Sequence, residues 1–140
     1  MNKSIRIGGA SGFWGDSYRA TEQLIQDTTL DFIVYDYLAE ITMSIMARAR
    51  AKSPSAGYAT DFIDAVIKPY IKRISTNNTR LISNAGGVNP EKCAEVISEL
   101  LKDLQLNLKV SCITGDDLMS SAQEIKNMNC KEMFSDIKFP

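Results

Sequence analysis

The sequence predicts an α/β fold in which a parallel sheet of about four strands is flanked by helices, as in Rossmann-like three-layer domains. Short runs rich in β-branched and aromatic residues alternate with longer runs of helical period. Turns rich in glycine, asparagine or acidic residues follow the predicted strands. We therefore expect one α/β domain over residues 5–127 and a loosely ordered tail over 128–140, with a truncated larger domain as an alternative.

The first strand is predicted over residues 4–7. It breaks at Gly8 and Gly9, where the missing side chains permit a turn. Asp16 or Ser17 follows at a position suited to cap the next helix by accepting a backbone N–H.

The second strand is predicted over residues 31–37, and apolar residues at helical spacing predict a helix over 38–52. Thr60 is a suitable N-cap for a further helix that extends to Ile74. Pro69 lacks a backbone donor, so a kink is expected within that helix.

The third strand is predicted over residues 79–83. Asn89 and Pro90 form a cap and first-turn pair that starts the next helix. A fourth strand is predicted over 108–113, and a last helix extends to about Asn127.

Composition excludes several classes of function. The chain has 16 basic and 17 acidic residues and a net charge of -1, so nucleic acid is not an expected partner. The longest apolar runs are too short for a membrane span, which predicts a cytoplasmic or other intracellular protein. Histidine is absent, which excludes Ser-His-Asp and Cys-His catalysis. Three widely spaced cysteines argue against a disulfide framework or a zinc knuckle.

The turns after the predicted strands should share one rim, because ligands of parallel sheets bind at the carboxyl ends of the strands. The first turn contains Gly8, Gly9, Gly12, Trp14 and Asp16. It matches neither the dinucleotide nor the P-loop pattern, and the aspartate opposes a phosphate. A ligand-binding loop and a tight structural turn both remain open. The indole of Trp14 is an apolar wall, a surface aromatic anchor or a buried structural residue.

The acidic residues of this rim are candidates for acid–base chemistry. Asp36 and Glu40 would face one cleft if a helix begins between them, although acids at a helix start also complement its dipole. For Asp116 and Asp117, we expect one to cap the last helix and the other to be free for a ligand hydroxyl or Mg²⁺.

The turn "NAGGVNP" contributes further substrate-binding candidates, which are Asn84, Gly86, Gly87 and Asn89. The first asparagine can bond to a ligand carbonyl or hydroxyl. The second more simply caps its helix.

Five strings together resemble the N-terminal part of the acyclic terpene utilisation family: "RIGGASGFWGDS", "LDFIVYDYLAEITMSIMARAR", "GYATDFI", "SNAGGVNP" and "GDDL". They span residues 5–118 in the family's order. The resemblance implies an α/β domain longer than this chain, with these turns lining an active-site cleft. It also implies a role in breakdown of branched isoprenoids through acyl-coenzyme A intermediates.

Two functions follow as expectations. The first is an enzyme, or part of one, that acts on an acyclic isoprenoid or branched acyl ligand, including acyl-CoA thioesters, with Asp36, Glu40 and Asp116 as catalytic candidates. The second is a non-catalytic subunit that binds itself or a pathway partner, with an inactive fragment as a further alternative. The residues leave the reaction, the cofactor and any metal open.

Overall fold

The computed structural model describes residues 4–138 and has an α/β fold built on a three-stranded parallel sheet. Its strands are β1 (Ile7–Ser11), β2 (Phe32–Tyr35) and β3 (Arg80–Ser83), in the order β1-β2-β3. The second and third predicted strands are confirmed. The first was placed too early, because Gly8 and Gly9 pair with β2 inside β1 and do not form the turn.

Helices follow each of the three strands, as the apolar spacing predicts. They are α1 (Ala20–Leu24), α2 (Glu40–Lys52), α3 (Lys68–Thr76), α4 (Pro90–Asp103) and α5 (Ala122–Asn127). The predicted cap of α1 is wrong, since Arg19 holds the N-cap position and no side chain bonds there.

The helix that ends in α3 contains a π-helical segment, Phe62–Ile67. Thr60 already lies inside this helix and is therefore not its N-cap. Pro69 lies in the first turn of α3, directly after the π-helical segment, and the kink expected from it stays a prediction.

One face of the sheet carries the core. Gly8 and Ile33 are buried and pair in register with half-buried Leu81, whereas Ile7 and Ile82 on the opposite face are 62% and 53% exposed. The covered face packs against the π-helical segment and α3 through Phe62, Val66, Ile67, Ile71 and Ile74. The predicted three-layer arrangement is therefore not confirmed, because the helices pack mainly on one face.

The predicted fourth strand does not form in the described chain. Residues 108–113 carry no ladder pairing, and Ile113 is 92% exposed while Val110 is half-buried against the core. A segment with no neighbouring strand to pair with leaves its backbone N–H and C=O groups to water. The alternating pattern alone is therefore not sufficient to form a strand.

The tail is exposed, with a single antiparallel bridge between Lys131 and Lys138. None of the helices formed by residues 4–138 combines the length and apolar character needed to cross a membrane.

Candidate functional site

The turns that follow the three strands lie side by side at one edge of the sheet. The backbone N–H of Asp36 donates to the Ser11 carbonyl at 3.3 Å, and the Ser11 hydroxyl donates to the Asp36 carbonyl at 3.1 Å. The Asn84 side chain then donates to Asp36 Oδ1 at 2.8 Å. Hydrogen bonds thus connect the turns after β1, β2 and β3 in a row.

Asn84 uses both ends of its amide within the protein. Its Oδ1 accepts the backbone N–H of Tyr37 at 2.7 Å, while its Nδ2 holds Asp36. α2 begins at Glu40 itself, with Ala39 at its N-cap, and both Asp36 and Glu40 are exposed. The structure therefore gives Asn84 a structural role, and ligand binding by these residues stays a prediction.

The glycine loop after β1 is closed by its own aspartate. Asp16 Oδ2 accepts the Gly12 N–H at 2.9 Å, and the Asp16 N–H donates to the Phe13 carbonyl at 3.2 Å. Gly15 has φ +86°, a conformation that side chains other than glycine rarely adopt. Because the carboxylate takes an N–H that a phosphate would use, this loop is poorly suited to bind a phosphate.

Trp14 connects this loop to the helix that contains the π-turn. Its indole Nε1–H donates to Asp61 Oδ1, and its half-buried ring packs against the core. The structure thus gives Trp14 a packing role, and contact of its ring with a ligand stays a prediction.

A narrow cleft opens between the loop and the π-helical segment, at the carboxyl ends of β1 and β2. Its walls carry two carboxylates and four aromatic rings: Asp16, Asp61, Phe13, Tyr18, Tyr35 and Tyr37. The space between them is about 340 Å³, part of it open to solvent, and most of it is too narrow for a water molecule.

Two tyrosines from the end of β2 are buried in the cleft. The Tyr35 hydroxyl shares a 2.9 Å hydrogen bond with the Thr21 hydroxyl, and its ring meets Phe62 edge-on at 5.2 Å. Burial raises the pKa of Tyr35 to about 12, with Thr21 opposing the shift. Burial first, and then the charge of Asp61, raise the pKa of Tyr37 above its usual range. Both phenols are thus neutral hydrogen-bonding groups.

The second half of the "NAGGVNP" turn serves packing. Asn89 occupies the predicted N-cap position of α4, but its side chain makes no capping bond there. Its buried amide instead donates to the carbonyls of Pro54 and Ala56 at 2.9 and 2.8 Å. Gly87 has φ +55° and lies where a β-carbon would collide with Met46. A substrate contact by Asn89, Gly86 or Gly87 stays a prediction.

The fourth predicted turn is held to the end of α2. Asp117 Oδ1 accepts the backbone N–H of Met119 at 2.9 Å, at the start of a 3₁₀ turn (Met119–Ser121) that leads into α5. Its Oδ2 lies 3.5 Å from Arg50 Nη1. Asp116 is exposed. Across residues 4–138, no group of three or more Cys, Asp or Glu side chains is placed to hold a metal ion.

The cleft residues missed from sequence include Phe13, Tyr18, Thr21, Tyr35, Tyr37 and Asp61. The string "VYDY" carried a usable signal, because its two tyrosines end a buried strand on the functional rim. No local pattern could have placed Asp61 beside Trp14.

Comparison with known proteins decides the family. The sequence model described as "Acyclic terpene utilisation family protein AtuA" matches residues 5–138. The chain belongs to the acyclic terpene utilisation family. This confirms the resemblance seen in the motifs. No curated protein and no solved structure matches the chain.

Proposed function

We propose that this member of the acyclic terpene utilisation family is an enzyme, or the N-terminal portion of one, in the catabolism of acyclic isoprenoid or branched acyl compounds, including their CoA thioesters. The observation that supports it is the cleft at the carboxyl ends of β1 and β2. Aromatic rings line it, and phenol and carboxylate groups converge within it. Such a mixture suits an apolar molecule with one polar end.

The side chains of the cleft have different roles according to their chemistry. Phe13 and Tyr18 at the exposed mouth contact the branched chain. Tyr37, kept neutral, donates a hydrogen bond to a carbonyl or hydroxyl oxygen, and Asp61 is the nearest carboxylate that can accept or return a proton. Asp36, Glu40 and Asp116 do not line the cleft, so we assign them to the rim outside it.

The test is a screen of acyclic terpene alcohols and branched acyl-CoA thioesters against the full chain, by thermal shift and by product analysis. We expect at least one compound to raise the melting temperature. Tyr37→Phe should reduce that shift, while Tyr70→Phe, which removes a phenol outside the cleft, should retain it. The absence of any shift and any product across the screen would contradict the proposal.

The alternative is a non-catalytic subunit that docks a pathway partner or a second copy. Exposed apolar side chains favour it, since Ile41 and Ile45 on α2 are 75% and 50% exposed. Sedimentation of the purified chain with and without a native extract separates the two functions. A ligand-induced shift in a chain that stays a monomer and captures no partner contradicts this alternative.

A further inference from the structure

We propose that the cleft takes the neutral polar end of its ligand, a hydroxyl or an ester-type carbonyl, and that Asp61 is the specificity-determining residue that rejects free carboxylates. The inference rests on the proposed function, because it assumes that the cleft is the ligand site. To that function it adds the chemical class of the ligand group that enters the cleft.

The first support is the charge of the walls. Asp16 and Asp61 both line the cleft, and none of the described lining residues is a lysine or an arginine. Each carboxylate accepts a hydrogen bond from a neutral donor, the Gly12 N–H and the Trp14 indole N–H respectively. Neither negative charge is therefore neutralised by a cation within the cleft.

The second support is the position of Asp61. Its charge acts on Tyr37, the buried phenol of the cleft, so it also acts on any group bound there. Asp61 is half-buried, and solvent and salt screen a half-buried charge less than an exposed one. A ligand carboxylate would meet that repulsion, whereas a thioester would place only its neutral carbonyl inside and leave its phosphates outside.

The third support is that the same groups suit a neutral ligand. Tyr37 can donate to a carbonyl or hydroxyl oxygen. A carboxylate accepts more than one hydrogen bond, so Asp61 can accept from a ligand hydroxyl while it holds Trp14. The group that repels an acid thus binds the corresponding alcohol.

The hydrogen bond between Trp14 and Asp61 supplies a reporter. Asp61 lines the cleft, so a ligand that contacts its carboxylate changes the surroundings of the Trp14 indole. This is the single tryptophan of the chain. Its fluorescence therefore follows entry into the cleft.

The experiment titrates the full chain at neutral pH with an acyclic monoterpene alcohol, the methyl ester of the corresponding acid, and the free acid. Trp14 fluorescence and titration calorimetry are both recorded. We expect the alcohol and the ester to bind and the acid to bind at least about tenfold more weakly. Asp61→Asn, which keeps an oxygen acceptor for the indole, should reduce that ratio to about threefold or less.

The matched control is Asp64→Asn. Asp64 lies in the π-helical segment that begins directly after Asp61, but it pairs with Lys68 at 2.5 Å on the exposed surface, so its loss should leave the ratio unchanged. High salt should lower the ratio in the unaltered chain, which tests the charge effect even if Asp61→Asn does not fold.

Two results overturn the inference in distinguishable ways. Binding of the acid as tight as that of the alcohol, or an unchanged ratio in Asp61→Asn, refutes the selectivity and leaves the ligand site intact. No heat and no fluorescence change with any of the three compounds refutes the proposed ligand site, and the inference with it.

Discussion

The indole N–H of Trp14 donates a hydrogen bond to the carboxylate of Asp61, a residue 47 positions later in the chain. The contact joins the glycine loop after β1 to the helix that precedes β3. It holds the loop to Asp61, whose carboxylate lines the cleft. The position of the loop and the negative charge of the cleft are therefore coupled through one pair of side chains.

Asp61→Ala should loosen the glycine loop. The change leaves the half-buried indole N–H without its acceptor, at a cost of about 1–2 kcal/mol in the free energy of unfolding. We expect a red shift of tryptophan emission and faster acrylamide quenching. Asp64→Ala is the control, because it removes a neighbouring exposed carboxylate. Unchanged quenching in Asp61→Ala would show that the loop is held by other contacts.

Asn84→Ala should disconnect the turns after β2 and β3. It removes the acceptor of the Tyr37 N–H and the donor to Asp36, and we expect a loss of about 1–3 kcal/mol, measured by urea unfolding. Asn84→Asp keeps the acceptor but faces the Asp36 carboxylate, so it should also destabilise the chain. If both variants unfold at the original urea midpoint, the amide does not stabilise the rim.

Gly87→Ala should destabilise the chain by more than about 1 kcal/mol. Its φ of +55° is unfavourable for alanine, and the added carbon would lie 2.7 Å from the Gly57 carbonyl oxygen. Gly9→Ala is the matched control, since no atom lies within 4 Å of its added carbon and β1 is extended there. Equal melting temperatures for the two variants would contradict the packing role of Gly87.

Much of the fold was predictable because its signals are local. The strand over 32–35 and the helix that begins at Pro90 follow from side-chain pattern and turn chemistry alone. Residues 108–113 carry the same kind of pattern but form no strand, because strand formation depends on a partner backbone as well as on alternation. Gly8 was misplaced for a related reason, since pairing with β2 keeps it in the sheet.

The candidate site was predictable only in part. The turns after β1, β2 and β3 could be placed on one rim, because parallel strands end at the same edge. Asn84 was correctly placed there, but both ends of its side-chain amide bond to neighbouring residues. The oxygen accepts from the Tyr37 N–H, and the nitrogen donates to Asp36. Asp61 could not be found, because tertiary packing of a π-helical segment brings it to Trp14.

Cys93 should be alkylated more slowly than the other two cysteines of the chain. It is buried in α4, and burial, with a smaller contribution from Cys112, raises the pKa of its thiol to about 11. The thiolate is the reactive form, so alkylation at mildly alkaline pH should modify exposed Cys112 and Cys130 first. Mass spectrometry should show two rapid additions and a third only after unfolding. Three equally rapid additions would contradict the buried position of Cys93.

Tyr35 should make stability fall at alkaline pH. Its pKa is raised to about 12 in the folded chain, against about 10 when unfolded, so the folded state keeps a proton that the unfolded state loses. The contribution is complete below about pH 10 and disappears between about pH 10 and pH 12, a loss of about 3 kcal/mol. Tyr35→Phe should flatten this slope in urea unfolding at several pH values, and Tyr70→Phe serves as the control. An unchanged slope in Tyr35→Phe would mean that another group causes the alkaline loss.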